Sequence, residues 1–249
     1  VTLTDNVTGN NFFQIQTGAT LVGGGFSITV DNESSSDLTF LNNGTISGVL
    51  DVIITNPNGV AALDFTGQGG NVRNLTINHA SCVATIQDDT TLDGNLTITA
   101  GEFNTKSGSN HALTVAGELT QTGGTLTCND SDVIVRNIYA SGGTLSAPSN
   151  SSTNGLEVTG KGNSGSGDGY SIRIEGGTFT DNNGTVILSA DTNTFMRIES
   201  SLHNFIIRND GSSSTRVHEF INPTTIGGDL TLTNGSLQSY NTTWNINVT

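Results

Sequence analysis

The sequence predicts an all-β fold, a right-handed parallel β-helix, with residues 1–249 forming a single β-solenoid. Three observations carry this expectation. A short strand motif recurs along the chain, glycine-led corners separate the copies, and no run of a dozen residues carries apolar positions at helical spacing. Regular short strands with turns also suit a pair of β-sandwiches. That alternative is disfavoured by the single tryptophan, Trp244, and by the lack of Asn-Gly or Asp-Gly pairs regularly joining matched strands.

The strand motif reads Asn74-Leu75-Thr76-Ile77-Asn78 and returns as Asn95-Leu96-Thr97-Ile98-Thr99, Ala112-Leu113-Thr114-Val115-Ala116 and Asp229-Leu230-Thr231-Leu232-Thr233. Looser copies are Leu156-Glu157-Val158, Ile172-Arg173-Ile174 and Phe205-Ile206-Ile207. Alternation with a period of two marks a half-buried strand. It places Leu75, Ile77, Leu96, Ile98, Leu113, Val115, Leu230 and Leu232 inward, and Thr76, Thr97, Thr114 and Thr231 outward.

The corner motif reads Gly123-Gly124-Thr125-Leu126, then Gly142-Gly143-Thr144-Leu145, then Gly176-Gly177-Thr178-Phe179. Glycine supplies the positive φ of a sharp corner. The first two copies lie 19 residues apart and the next follows after 34, read as two turns of 17. Asn43-Gly44-Thr45-Ile46 and Asn183-Gly184-Thr185-Val186 are related forms. A longer repeat nests over these. Asn74 to Ile77 matches Asn204 to Ile207, and Thr90 to Thr99 matches Thr224 to Thr233, so equivalent coils are expected at an offset of 130–134. Strand motifs recur at roughly 14 to 23 residues. At ~4.8 Å per coil, a dozen coils make a rod of roughly 60 Å.

The composition narrows the function classes. Charged residues make up only 12% of the chain, and 32 glycines stand against 3 prolines. Hydrophobic residues, at 33%, recur in β-branched clusters, which separates the chain from disordered sequences. The net charge of −14 disfavours nucleic acid and anionic membrane as partners. It suits a soluble surface, with weak Ca²⁺ association as the sharper alternative. No apolar run approaches the ~18 residues of a membrane-spanning helix. Cys82 and Cys128 fall in strand-like segments and are read as buried free thiols. The chain starts and stops inside strand-like patterns, which suggests part of a longer chain or polymer.

The run Val72-Arg73-Asn74-Leu75-Thr76-Ile77, a Thr-rich spacer, and then Gly94-Asn95-Leu96-Thr97-Ile98-Thr99-Ala100-Gly101-Glu102-Phe103 resembles the β-strand repeats of secreted bacterial surface proteins. It is equally similar to the β-helical structural proteins of environmental bacteriophages. The resemblance covers most of the chain and implies passenger stalks, adhesins, filaments or virion fibres. It supplies no catalytic motif to carry over.

A β-helix can also be a polysaccharide lyase or hydrolase, which needs converging carboxylates with a base or cation nearby. Asp88, Asp89 and Asp93, with Arg73 one coil earlier, are the densest acidic group. Adjacent residues on a strand point to opposite faces, so Asp88 and Asp89 would not converge there, and a loop with Thr90 is expected instead. Asp130-Ser131-Asp132 has the alternation of a Ca²⁺ loop but lacks the glycine and distal glutamate of an EF-hand. The run Gly165-Ser166-Gly167-Asp168-Gly169 lies in a loop expected from Lys161 to Tyr170. His79, His111, His203 and His218 are scattered without zinc-ligand spacing, and His79 and His203 are near-equivalents in the nested repeat. Asn-x-Ser/Thr sequons, as at Asn6, Asn43, Asn95, Asn183 and Asn241, permit glycosylation in a suitable host.

No catalytic, cofactor-binding or metal-binding residue is therefore assigned, and the chain is not expected to be an enzyme. The expected role is a structural subunit of an extracellular filament, surface stalk or virion fibre, with self-association or same-chain solenoid neighbours as partners. The alternatives are a glycan- or receptor-binding adhesin and, third, a polysaccharide-degrading enzyme. A row of exposed aromatics on one face would favour glycan binding. Aromatics are only 6% of the chain, mostly phenylalanines at inward positions, which lends this little support.

Overall fold

A computed structural model describes residues 1–9, 12–31, 38–55, 59–65, 70, 72–149, 155–162, 169–208, 216–241 and 245–249. It is an all-β, parallel solenoid without helix among these residues. Each coil carries up to three short strands, and each face of the rod is a parallel ladder.

The first face stacks β1 (Val7–Gly9), β4 (Ser27–Val30), β7 (Asp51–Ile54), the start of β9 (Asn74–Ile86), the start of β11 (Leu96–Asn104) and the end of β12 (Leu113–Gln121). It continues through the end of β14 (Val133–Ala140), β17 (Tyr170–Ile174), β20 (Thr194–Ile198), β22 (Val217–Phe220) and β25 (Ser236–Ser239). These eleven strands make ten steps, or ~48 Å of rod.

The second face stacks β2 (Phe13–Ile15), β5 (Leu38–Asn42), β8 (Gly59–Asp64), the later parts of β9 and β11, β13 (Thr125–Thr127), β15 (Thr144–Ser146) and β18 (Thr178–Thr180). The third stacks β10 (Thr90–Leu92), the starts of β12 and β14, β16 (Leu156–Val158), β19 (Thr185–Leu188), β21 (Asn204–Ile207) and β24 (Leu230–Leu232). The pairs β3 (Thr20–Val22) with β6 (Thr45–Ser47), and β23 (Thr224–Ile226) with β26 (Ile246–Val248), complete coils towards the two ends.

The core consists of columns. On the first face Ile28, Val52, Leu75, Leu96, Leu119, Ile138, Ile172, Met196 and Phe220 lie in register on successive rungs, all buried. On the third face Leu113, Val133, Leu156, Val186 and Phe205 do the same. The expected register holds for Leu75, Ile77, Leu96, Ile98, Leu113 and Val115, which are buried, while Thr76, Thr97 and Thr114 sit half-exposed between them. At β24 the register is kept, Leu230 on Phe205 and Leu232 on Ile207, but burial is incomplete: Leu230 is only half-buried and Leu232 is 49% exposed. Among the described residues no further rung covers β24 on that face, so its inward side chains meet only one neighbour.

The three Gly-Gly-Thr corners stack directly, Thr125 on Thr144 on Thr178. The 34-residue spacing is therefore one enlarged turn, not two turns of 17. Gly124 and Gly143 have φ of 63° and 74°. A Cβ on Gly143 would collide with the Gly124 carbonyl oxygen, and one on Gly124 with that of Gly101. Glycine here answers both the conformation and the closeness of successive coils. At another corner, side chains of one coil accept backbone N–H groups of the next: Asn95 N–H donates to Asn74 Oδ1 and Glu118 N–H to Asn95 Oδ1, each at 2.8 Å.

The nested repeat also needs correction. β9 starts on the first face, whereas its sequence match β21 stands on the third. β10 stands on the third, whereas its match β23 pairs with β26 on a different ladder. The repeated unit is a corner plus a strand, used on any face, so the offset of 130–134 is not a whole number of coils.

Truncating Leu96, which packs between Leu75 and Leu119, should cost roughly 2–5 kcal/mol. The adjacent outward change Thr97→Ala should stay within about 0.5 kcal/mol. Denaturant titration of both variants checks the register, and the reverse order of effects would contradict it.

Candidate functional site

Asp88 and Asp89 occupy the bend between β9 and β10, as expected of a loop with Thr90, whose Oγ1 donates to the Asp88 carbonyl at 3.1 Å. Both carboxylates converge with the His111 ring, their ligand atoms lying within 4.8 Å of one another. The reason is that a bend, unlike a strand, does not alternate its side chains, and that His111 arrives from the next coil. Asp89 Oδ1 accepts the Ala112 N–H at 2.8 Å and stands 3.9 Å from His111 Nδ1. Both acids are exposed, so the group has the donors for a loosely held cation.

Arg73 is not part of this group. It makes a paired contact to Asp51, Nε to Oδ1 at 2.8 Å and an Nη to Oδ2 at 2.6 Å, and that hydrogen bond raises its pKa further. Asp93 is exposed, with its backbone N–H on Val72 O. Asp130 is exposed and accepts the Ser149 hydroxyl, while Ser131 is buried. Of the glycine-rich run, Gly165, Ser166, Gly167 and Asp168 lie outside the described residues, and Gly169 holds a positive φ of 77° at the edge of β17.

His79 lies within β9 and accepts the Ser81 N–H at 3.4 Å, whereas His203 immediately precedes β21, so the two are not equivalent. Cys82 and Cys128 are free and buried, and burial pushes both thiols up to about 12, away from reactive thiolate.

Two features escape a reading by motif. One is His218, fully buried on β22, with Nδ1 2.9 Å from Thr194 Oγ1 on the rung below. Alternation with inward Phe220 could have placed it. The other is a row of aromatic rings on the outer side of the first face, where little aromatic exposure was expected. Tyr139 and Tyr170 flank the Arg173 guanidinium, whose carbon lies 5.5 and 5.2 Å from their ring centres. Tyr170 is followed by Phe195 at 5.9 Å and Phe195 by Tyr240 at 6.2 Å. Tyr170, Phe195, Ile221 and Tyr240 line an open groove of about 310 Å³. The sequence signal was present: Tyr139 and Arg173 are the outward members of Ile138-Tyr139-Ala140 and Ile172-Arg173-Ile174, but their alignment depends on the enlarged turn between them.

No family model matches this chain, and no curated protein or solved structure does either.

Burial lowers the His218 pKa from 6.5 to about 4, so the folded protein holds the ring neutral. The unfolded chain binds that proton more readily. The stability that this contributes is full above pH 6.5 and is lost as pH falls towards about 4. His218→Gln should remove up to about 1.4 kcal/mol per pH unit from the slope of stability against pH in that window. Urea titrations of both proteins between those pH values measure it, and an unchanged slope would contradict the assignment.

Proposed function

We propose that the chain is a non-catalytic structural segment of an extracellular filament, surface stalk or virion fibre, extended by end-on stacking of solenoid coils. The observation that carries this reading is the open core at both end coils. At one end Val1, Leu3, Val7, Phe13 and Leu21 border an apolar recess of about 490 Å³. At the other, Leu232 and Val248 are exposed, and Leu230, Leu237 and Ile246 are only half-buried against the core. Among the described residues no further strand pairs with β1 and β2 at one end, or with β24, β25 and β26 at the other, which leaves strand N–H and C=O groups open there.

A coil laid on such an end satisfies the backbone groups and removes apolar area from water, at roughly 25 cal/mol per Å². Contact between unlike ends is heterologous and propagates without closing. Mutual repulsion from the net charge of −14 opposes it, and salt weakens that repulsion. The grooves lined by Ala80 to Val83, by Asn6, Asp51 and Asn74, and by Tyr170 and Phe195 on the long sides of the rod are open.

Two outcomes are expected. In sedimentation velocity at high salt or with added divalent cation, the protein should form linear species that grow with concentration. Leu232→Glu should raise the half-assembly concentration by roughly tenfold or more, about 1.4 kcal/mol. A monodisperse subunit at high concentration and high salt would remove the basis for end-on assembly. The protein should also release no reducing or unsaturated sugars from acidic polysaccharides. Turnover abolished by Asp88→Ala or Asp89→Ala would overturn the non-catalytic reading.

A further inference from the structure

We propose that the outward row Tyr139, Tyr170, Phe195 and Tyr240, which runs along one side of the rod up to its last coil, is a binding surface for neutral hexopyranose glycans.

The row is unusual within this chain. Phe40, Phe65, Phe103, Phe179, Phe205 and Phe220 are all buried in the core columns. All three tyrosines instead stand on one outer face, joined there by Phe195. Phe195 remains 38% exposed and Tyr240 65%. Nothing in the coil geometry demands this, because Glu219 and Gln238 occupy the register positions after Phe195 without an aromatic ring.

The shape suits a sugar ring. A hexopyranose presents C–H bonds on its faces and hydroxyls around its rim. It is held by aromatic walls against the faces and hydrogen-bonding side chains at the edge. The Tyr170 and Phe195 rings are inclined at 56°, and Phe195 and Tyr240 at 84°, so together with Ile221 they present an angled, concave surface and not a flat plate. A groove of about 310 Å³ is at the small end of ligand sites, room for about one or two sugar rings. The rim partners are in place. Glu219 Oε1 accepts Gln238 Nε2 at 2.8 Å beside Phe195, Glu219 being half-buried and Gln238 exposed. On the other side Glu175 bridges Arg173 at 2.7 Å and Arg197 at 3.1 Å, and Arg197 also holds Glu199 at 2.6 Å.

Electrostatics selects the neutral class. The guanidinium groups of Arg173 and Arg197 are already matched by Glu175 and Glu199, so little positive charge is left to attract a polyanion. The chain's net charge of −14 repels one. An apolar peptide would bury the phenol hydroxyls without offering them partners, at a cost in desolvation.

The test is binding of the intact protein to immobilised cellohexaose, laminarihexaose and mannohexaose, with hexagalacturonate and sialylated oligosaccharides alongside. Circular dichroism confirms that each variant is folded. At least one neutral oligosaccharide should bind, with affinity reduced roughly tenfold or more by Phe195→Ala and by Tyr240→Ala. Tyr240→Trp should retain binding, and Phe12→Ala, at an exposed ring away from the groove, should leave it unchanged. The proposal fails if no neutral oligosaccharide binds, if only the charged ones do, or if binding survives both alanine variants. Phe195 lies two rungs below the last coil, so Phe195→Ala should leave assembly in sedimentation unchanged; failure here leaves the rod reading standing, and the reverse.

Discussion

Axial stacking is the constraint on which the rest of this structure depends: each inward side chain must fit the side chain one coil above and one coil below it. Sequence neighbours contribute little to the core, because successive residues on a strand point to opposite faces. A column tolerates gradual change in size, as where Leu145 meets Phe179 or Met196 meets Phe220. It also tolerates a polar rung when the donor groups on it find acceptors. Gln121 stands between Ile98 and Ala140, and its Nε2 reaches the Gly124 and Thr144 carbonyl oxygens at 3.1 and 2.9 Å. Thr194 and His218 form a second such rung.

The corners follow from the same spacing. With coils packed face to face, the chain must turn where a neighbouring backbone is already in contact. Gly124 and Gly143 meet that demand by lacking a Cβ. Asp51, Asn74 and Asn95 meet it by offering short side-chain acceptors to the next coil's N–H groups. Such short polar residues and glycines explain why a chain with so few charges is ordered. The interior needs only a thin line of Leu, Ile, Val and Phe, and the corners use the rest.

Fold class and strand register were legible because both rest on local rules, the period of two and the glycine corner. Leu75, Leu96 and Leu113 could be placed inward from their immediate neighbours alone. What could not be read was which strand lies on which. That depends on the length of the intervening loop, and loop length carries no pattern. The 34-residue interval therefore looked like two coils, and Asn204 looked equivalent to Asn74 although they stand on different faces. The same gap hid the candidate site. Tyr139, Tyr170, Phe195 and Tyr240 are scattered in sequence and become one row only once the coils are aligned. Asp88 and Asp89 could be assigned to a loop, but His111, a full coil later, could not be joined to them.

The outside of the rod is freed by this economy. Inward positions are fixed by their columns, so outward ones can vary with function without disturbing the fold. The most direct measurement of the central claim is residue-resolved amide hydrogen exchange on the single rod under non-assembling conditions. If stability is built by neighbouring coils, protection should peak on the central rungs around Leu96 and Leu119 and fall step by step towards β1 at one end and β24 to β26 at the other. Uniform protection along the rod, or protection strongest at the end rungs, would contradict it.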